Sequence, residues 1–133
     1  MATATITKTL AYANGTSGLS YNVTTTKTIE VSFAYQADHD LSTTEKDIFV
    51  LNDNPAFSNF KFLHIENTGA TDCNFRINAG SGNSFHTLEA GTTFEIHSNN
   101  FWNDDSGANP DTMDGLYAKT AAGTTTIKLI AYV

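Results

Sequence analysis

Lys27-Thr28-Ile29-Glu30-Val31-Ser32-Phe33-Ala34-Tyr35 is the stretch on which the fold class turns. Ile29, Val31, Phe33 and Tyr35 recur at every second position, with Thr28, Glu30 and Ser32 between them. Successive side chains of a strand point to opposite faces, so this spacing predicts one strand with an apolar side and a wet side. No comparable window carries the apolar stripe of an amphipathic helix.

Outward from this stretch the same signal recurs. Residues 47–51 form a short apolar run, closed by the strong breaker Asn52-Asp53-Asn54-Pro55. Residues 60–67 carry apolar groups on both faces, which predicts a central strand. Residues 68–72 read as a turn, and 73–78 as a returning strand with Cys73, Phe75 and Ile77 on one side. Residues 79–83 read as a flexible tip. Strands at 84–88 and 92–97 flank a tight turn at Glu89-Ala90-Gly91. After a strand at 116–119 and a turn at Ala121-Ala122-Gly123, residues 124–133 alternate again. Ser42-Thr43-Thr44-Glu45 has the spacing of a helix capping box, but no helical stripe follows it. Residues 98–115 read as a long polar loop.

These strands and turns predict an all-β chain, an antiparallel β-sandwich or jelly-roll-like domain of about eight or nine strands spanning the whole chain. Residues 1–24 stand apart. Thr3, Thr5, Thr7 and Thr9 alternate with Ala4, Ile6, Lys8 and Leu10. This segment reads either as an edge strand or as an arm reaching a neighbouring subunit, with residues 14–18 as its hinge.

Composition narrows the function. Of 133 residues, 40% are hydrophobic, enough for a core, and only 16% are charged. Threonine, serine, asparagine and glycine fill the difference, which suits sheets with a hydroxylated outer face. A net charge of −7 argues against binding nucleic acid through its phosphates and against an anionic membrane surface. No apolar run approaches the roughly 20 residues of a membrane span. Residues 1–5 lack the basic and apolar parts of a secretion signal, so synthesis in a cytoplasm is expected. Cys73 is the only cysteine and is expected to be a buried, inert thiol.

Motifs for chemistry are missing. His39, His64, His86 and His97 show neither His-x-His nor His-x-x-x-His spacing. There is no Gly-x-Ser-x-Gly elbow and no phosphate loop ending in Gly-Lys-Ser or Gly-Lys-Thr. No enzyme, catalytic residue or cofactor is expected. Asn99, Asn100, Asn103, Asp104, Asp105, Asp111 and Asp114 offer many oxygen ligands, but their spacing is not that of an EF-hand. A solvated loop using Asx turns is expected there, with cation binding left open. Phe101-Trp102 within it reads as a plug or subunit contact in preference to a sugar platform. The candidate partner contacts are therefore Phe101, Trp102, Ile6 and Leu10.

Four stretches taken together carry a resemblance. Phe60-Lys61-Phe62-Leu63-His64-Ile65-Glu66-Asn67-Thr68-Gly69 is followed by Asn74-Phe75-Arg76-Ile77. Thr87-Leu88-Glu89-Ala90-Gly91-Thr92-Thr93-Phe94-Glu95-Ile96 then precedes Thr124-Thr125-Thr126-Ile127-Lys128-Leu129-Ile130-Ala131. This order resembles small β-sandwich virion proteins of tailed bacteriophages: a strand ending in Asn, a Leu-x-Ala-Gly turn and a closing Thr-rich strand. The resemblance implies a capsid decoration (cement) protein or a tail-associated structural protein. It would reside in the virion as a homo-oligomer contacting the major capsid protein or another virion protein. It carries no catalytic positions, and residues 3–21 depart from it. Two other readings compete: a carbohydrate-binding module using Trp102, and a small metal-dependent cupin in which His64, His86 and His97 converge.

Overall fold

A computed structural model describes residues 2–13, 20–50, 60–77, 85–97, 100–102, 110–112 and 115–133. Among them lie twelve strands and no helix. They are β1 (Ala2–Ala13), β2 (Ser20–Val31), β3 (Ala34–Leu41), β4 (Lys46–Val50), β5 (Phe62–Asn67), β6 (Cys73–Ile77), β7 (His86–Leu88), β8 (Thr93–Ile96), β9 (Asn100–Trp102), β10 (Pro110–Thr112), β11 (Gly115–Thr120) and β12 (Thr125–Tyr132). The chain divides into two compact units, residues 1–32 and 33–133.

The first unit is a two-stranded antiparallel ribbon, β1 on β2, in unbroken register from Ala2↔Val31 to Ala13↔Ser20. Its alternation sorts residues onto two faces. Thr5↔Thr28, Thr7↔Thr26 and Thr9↔Thr24 stack as a threonine ladder on one. The hydroxyls of Thr9 and Thr24 lie 2.9 Å apart, a hydrogen bond across the ribbon. Ala4↔Ile29, Ile6↔Lys27, Lys8↔Thr25 and Leu10↔Val23 occupy the other.

The second unit is an antiparallel β-sandwich. One sheet runs β4-β11-β6-β7 and the other β3-β12-β5-β8. The chain crosses from sheet to sheet at six of the seven steps between these eight strands; only β6 to β7 stays within one. Each sheet turns its alternate apolar residues inward. Leu41, Leu63, Ile65, Ile96, Ile127, Leu129 and Ala131 from one sheet meet Ile48, Phe49, Cys73, Phe75, Leu88, Leu116 and Ala118 from the other in one buried cluster. Rings bridge the layers directly: Tyr35 lies 6.0 Å from Phe49, and Phe75 lies 4.9 Å from Phe94.

One end of the sandwich is closed by a buried amide. Asn67, the last residue of β5, is fully buried. Its Nδ2 donates to Thr71 O at 2.9 Å and to Leu88 O at 3.1 Å. Its Oδ1 accepts from Thr125 Oγ1 at 2.8 Å and from Gly69 N–H at 3.2 Å. Its backbone donates to Thr92 O at 3.0 Å and accepts from Gly91 N–H at 2.9 Å. A side-chain amide has two donors and one acceptor with two lone pairs, and here all four are used. Leu88 belongs to one sheet and Thr125 to the other, so this residue ties the sheets together. Asp72 adds a tie, its Oδ1 accepting from Ala90 N–H at 2.9 Å. Gly91 takes a φ of 74°, a left-handed conformation that glycine adopts without a Cβ clash. At Gly69 a Cβ would press on the Thr125 hydroxyl and sit 2.9 Å from Thr126 N, so a side chain has no room.

Two expectations need correction. Residues 27–35 are not one strand: β2 ends at Val31, β3 opens at Ala34, and Phe33 is 43% exposed. The alternation continues through this point, but the hydrogen-bonding partner changes from β1 to β12. Residues 98–115 are not all loop, since β9 and β10 pair antiparallel within them. The turn at Glu89-Ala90-Gly91 exists, with Thr92 N–H donating to Glu89 O at 3.1 Å. It joins strands of opposite sheets. Ser42 and Thr44 make a bend and not a helix start; Thr44 N–H donates to Ser42 Oγ at 3.3 Å. The breaker at 52–55 and the tip at 79–83 lie outside the described residues.

Truncating Asn67 to alanine strands the Thr71 and Leu88 carbonyls and the Thr125 hydroxyl, while the Gly69 N–H keeps its second acceptor, Thr126 O, at 3.1 Å. Urea denaturation of Asn67→Ala should show a loss of about 3–5 kcal/mol, against less than about 1 kcal/mol for Asn74→Ala on the outer face. Equal small losses at both positions would contradict the role assigned to Asn67.

Candidate functional site

The residues expected to meet a partner fall in two places. Ile6 and Leu10 stand on the lysine-bearing face of the β1–β2 ribbon, Ile6 half-buried and Leu10 64% exposed. The backbones of Phe101 and Trp102 form β9, opposite Asp111 and Pro110 of β10, and their side chains lie outside the described residues. Most of the oxygen-rich segment 99–114 also lies outside them, as does the proposed hinge at 14–18. Among the described residues no group of three histidine, cysteine or acidic side chains could hold a metal ion.

The ribbon exposes two further apolar residues that sequence reading did not single out. Tyr12 is 54% exposed and Val23 is 40% exposed, and both share the face of Leu10. Leu10↔Val23 is a cross-strand pair, so their side chains form one apolar surface. Lys8 and Lys27 lie on the same face. The sequence hint for Val23 was faint, because residues 22–26 are otherwise asparagine and threonine. Register, which no single strand reveals, brings Val23 opposite Leu10. Among the described residues of the ribbon only Ile29 and Val31 are buried, opposite Ala4 and Ala2 at the other end of this face.

The histidines do not converge. His64 and His97 flank Glu95 on the outer face of the β3-β12-β5-β8 sheet, His64 Nδ1 at 3.4 Å and His97 Nε2 at 3.8 Å from its carboxylate. Phe62 packs among His64, His97 and Tyr132, with centroids 5.3–6.4 Å away. His86 instead sits on β7 of the opposite sheet, 5.6 Å from the Phe75 ring. The cupin arrangement of His64, His86 and His97 is therefore not formed.

The outer face of the other sheet is ordered by charge and rings. Arg76 pairs with Glu45 through Nε at 3.1 Å and Nη2 at 2.6 Å. The Arg76 hydrogen bonds hold the Glu45 carboxyl below its ordinary value. The guanidinium also lies 4.7 Å from the Tyr117 ring centre, and Lys119 Nζ lies 4.6 Å from that of Phe85.

A groove of about 470 Å³ opens at the Asn67 end, lined in part by Ser42, Gly69, Thr125 and Thr126. Two of its hydroxyls are committed internally: Thr125 Oγ1 donates to Asn67 and Thr126 Oγ1 to Asp40 Oδ1 at 2.8 Å. The groove is part of the closure of the sandwich.

Two titratable groups report on the core. Burial, with the nearby Asp72 charge, pushes the Cys73 thiol up to about 11. His39 is lowered by burial first and then by Lys46, against an opposing pull from Asp38. Its Nε2 is buried without a hydrogen-bond partner.

Set beside known proteins, the chain matches no family model, no curated protein and no solved structure.

Two measurements check this electrostatics. With the Cys73 thiol pushed up to about 11 from its ordinary 9.0, its contribution to stability is fully present below 9.0 and is lost as pH rises towards 11. Stability should fall as pH rises from 9 towards 11, and less steeply in Cys73→Ala. A thiol reagent at pH 8 should label the wild-type protein only after denaturant is added. His39 has the opposite sign. Its folded value lies below 6.5, so its contribution is present above pH 6.5 and lost as pH falls through the depressed value. Thermal melts should show a larger drop from pH 7 to pH 5.5 for wild type than for His39→Gln, and parallel curves would refute the assignment.

Proposed function

We propose that this chain is a structural subunit of a tailed-phage particle, and specifically a capsid decoration protein. The observation that carries the reading is the union of two parts: an eight-strand sandwich and a separate twelve-rung ribbon with an exposed apolar face. A two-stranded ribbon is marginal in water by itself and gains from a surface to lie on. Such a part is suited to assembly.

The body supports the reading in its own way. Counted along the sandwich alone, the sheets run 1-8-3-6 and 2-7-4-5. We infer from this winding that the body is a jelly roll, an architecture used by viral capsid domains, lectins and cupins alike. Fold alone does not choose among them. The separation of His86 from His64 and His97 counts against the cupin, and the ribbon favours the assembly subunit.

The resembling stretches gain a physical basis. Asn67, Gly69, Leu88, Gly91 and Thr125 all meet at the closed end of the sandwich. A strand ending in Asn, a Leu-x-Ala-Gly turn and a Thr-rich closing strand are the parts of one hydrogen-bonded lock. A subunit repeated over a lattice needs a rigid body of this kind, because many modest contacts add up only where geometry permits them together.

Quantitative mass spectrometry of purified particles should find the protein in high copy, in fixed ratio to the major capsid protein. A fixed ratio to tail proteins instead would move it to the tail. Its absence from particles would overturn the reading.

A further inference from the structure

We propose that the lysine-bearing face of the β1–β2 ribbon docks on the sandwich of a second copy of this chain. The inference rests on the assembly reading above and names the partner of the surface that carries it.

Charge identifies the occupant. Residues 1–32 contain Lys8, Lys27 and Glu30, a net charge of +1. Residues 33–133 contain five lysines and arginines against thirteen aspartates and glutamates, a net charge of −8. The chain's net negative charge lies entirely in its body. Register sharpens the contrast. Lys8 and Lys27 share a face with Leu10, Tyr12 and Val23, while Glu30 pairs with Thr3 on the threonine face. The exposed apolar face is thus also the basic one.

A surface that joins three large apolar side chains to two cations fits an acidic partner that offers some apolar cover. The body of a second copy supplies both, with its net charge of −8 and with Phe33, Phe85 and Phe94 exposed on it. Opposite charge would orient the approach, and the apolar contact would supply most of the hold. Exchanging ribbons between copies also gives each ribbon the surface that a two-stranded sheet needs.

The test uses the full chain. Equal amounts of isotopically light and heavy protein are mixed and treated with a zero-length carbodiimide cross-linker, and linked peptides are read by mass spectrometry. Light-to-heavy links from Lys8 or Lys27 to carboxylates within residues 33–133 are expected. Links only within one copy, or none, would overturn the proposal. Sedimentation should show wild type as an oligomer, and Leu10→Asp/Val23→Asp as a monomer with an unchanged circular dichroism spectrum. Lys8→Glu/Lys27→Glu, which leaves the apolar residues intact, should weaken self-association at least tenfold at low salt. An oligomer unaffected by either variant would overturn the proposal. A monomeric wild type that still loads onto particles would overturn it while leaving the virion reading in place. An oligomer missing from particles would do the reverse.

Discussion

Asn67 is the constraint on which the sandwich depends. A fully buried amide is costly unless every donor and acceptor is met, and this one meets all of them. Its partners come from the β5–β6 turn, from β7 and from β12. The apolar cluster alone is non-directional and would tolerate some sliding of one sheet over the other. The amide does not tolerate it, because each bond fixes a distance and an angle. The core thus supplies the bulk of the stability, and the lock selects one register between sheets.

That division explains why the turns are so specific. Gly69 has no room for a side chain beside Thr125, and Gly91 holds a positive φ while its N–H serves Asn67. Asp72 reaches across to Ala90 and so couples the two turns that flank the lock. These residues would look like ordinary turn formers in any one segment. Their shared role appears only when the chain crosses between sheets six times and brings the turns to one end.

The same contrast marks what the sequence could reveal. Residues 73–77 and 125–132 were legible because each strand has one face in the core, and period-two alternation records that burial directly; residues 62–67 were legible from apolar groups on both faces, as suits a strand with a neighbour on either side. The break at Ser32 was not, since Ile29, Val31, Phe33 and Tyr35 keep one period while the chain changes pairing partner. Alternation reports faces and is silent on neighbours. The β9–β10 pair escaped for a different reason: Asn100, Pro110 and Asp111 are poor strand formers, held by pairing more than by propensity. Of the ribbon's apolar face, Ile6 and Leu10 could be named from the first strand. Tyr12 and Val23 required the register, and so did the placement of both lysines beside them.

The sandwich is locked on itself, while the ribbon presents an exposed face that is both apolar and basic. The proposal is that this face lies on a neighbouring copy. An electron-microscopy map of the assembled protein tests this most directly. The account predicts density for residues 2–31 lying across the sandwich of an adjacent copy, with Leu10, Tyr12 and Val23 covered. A map in which that face is open to solvent, or folded only onto its own chain, would contradict it.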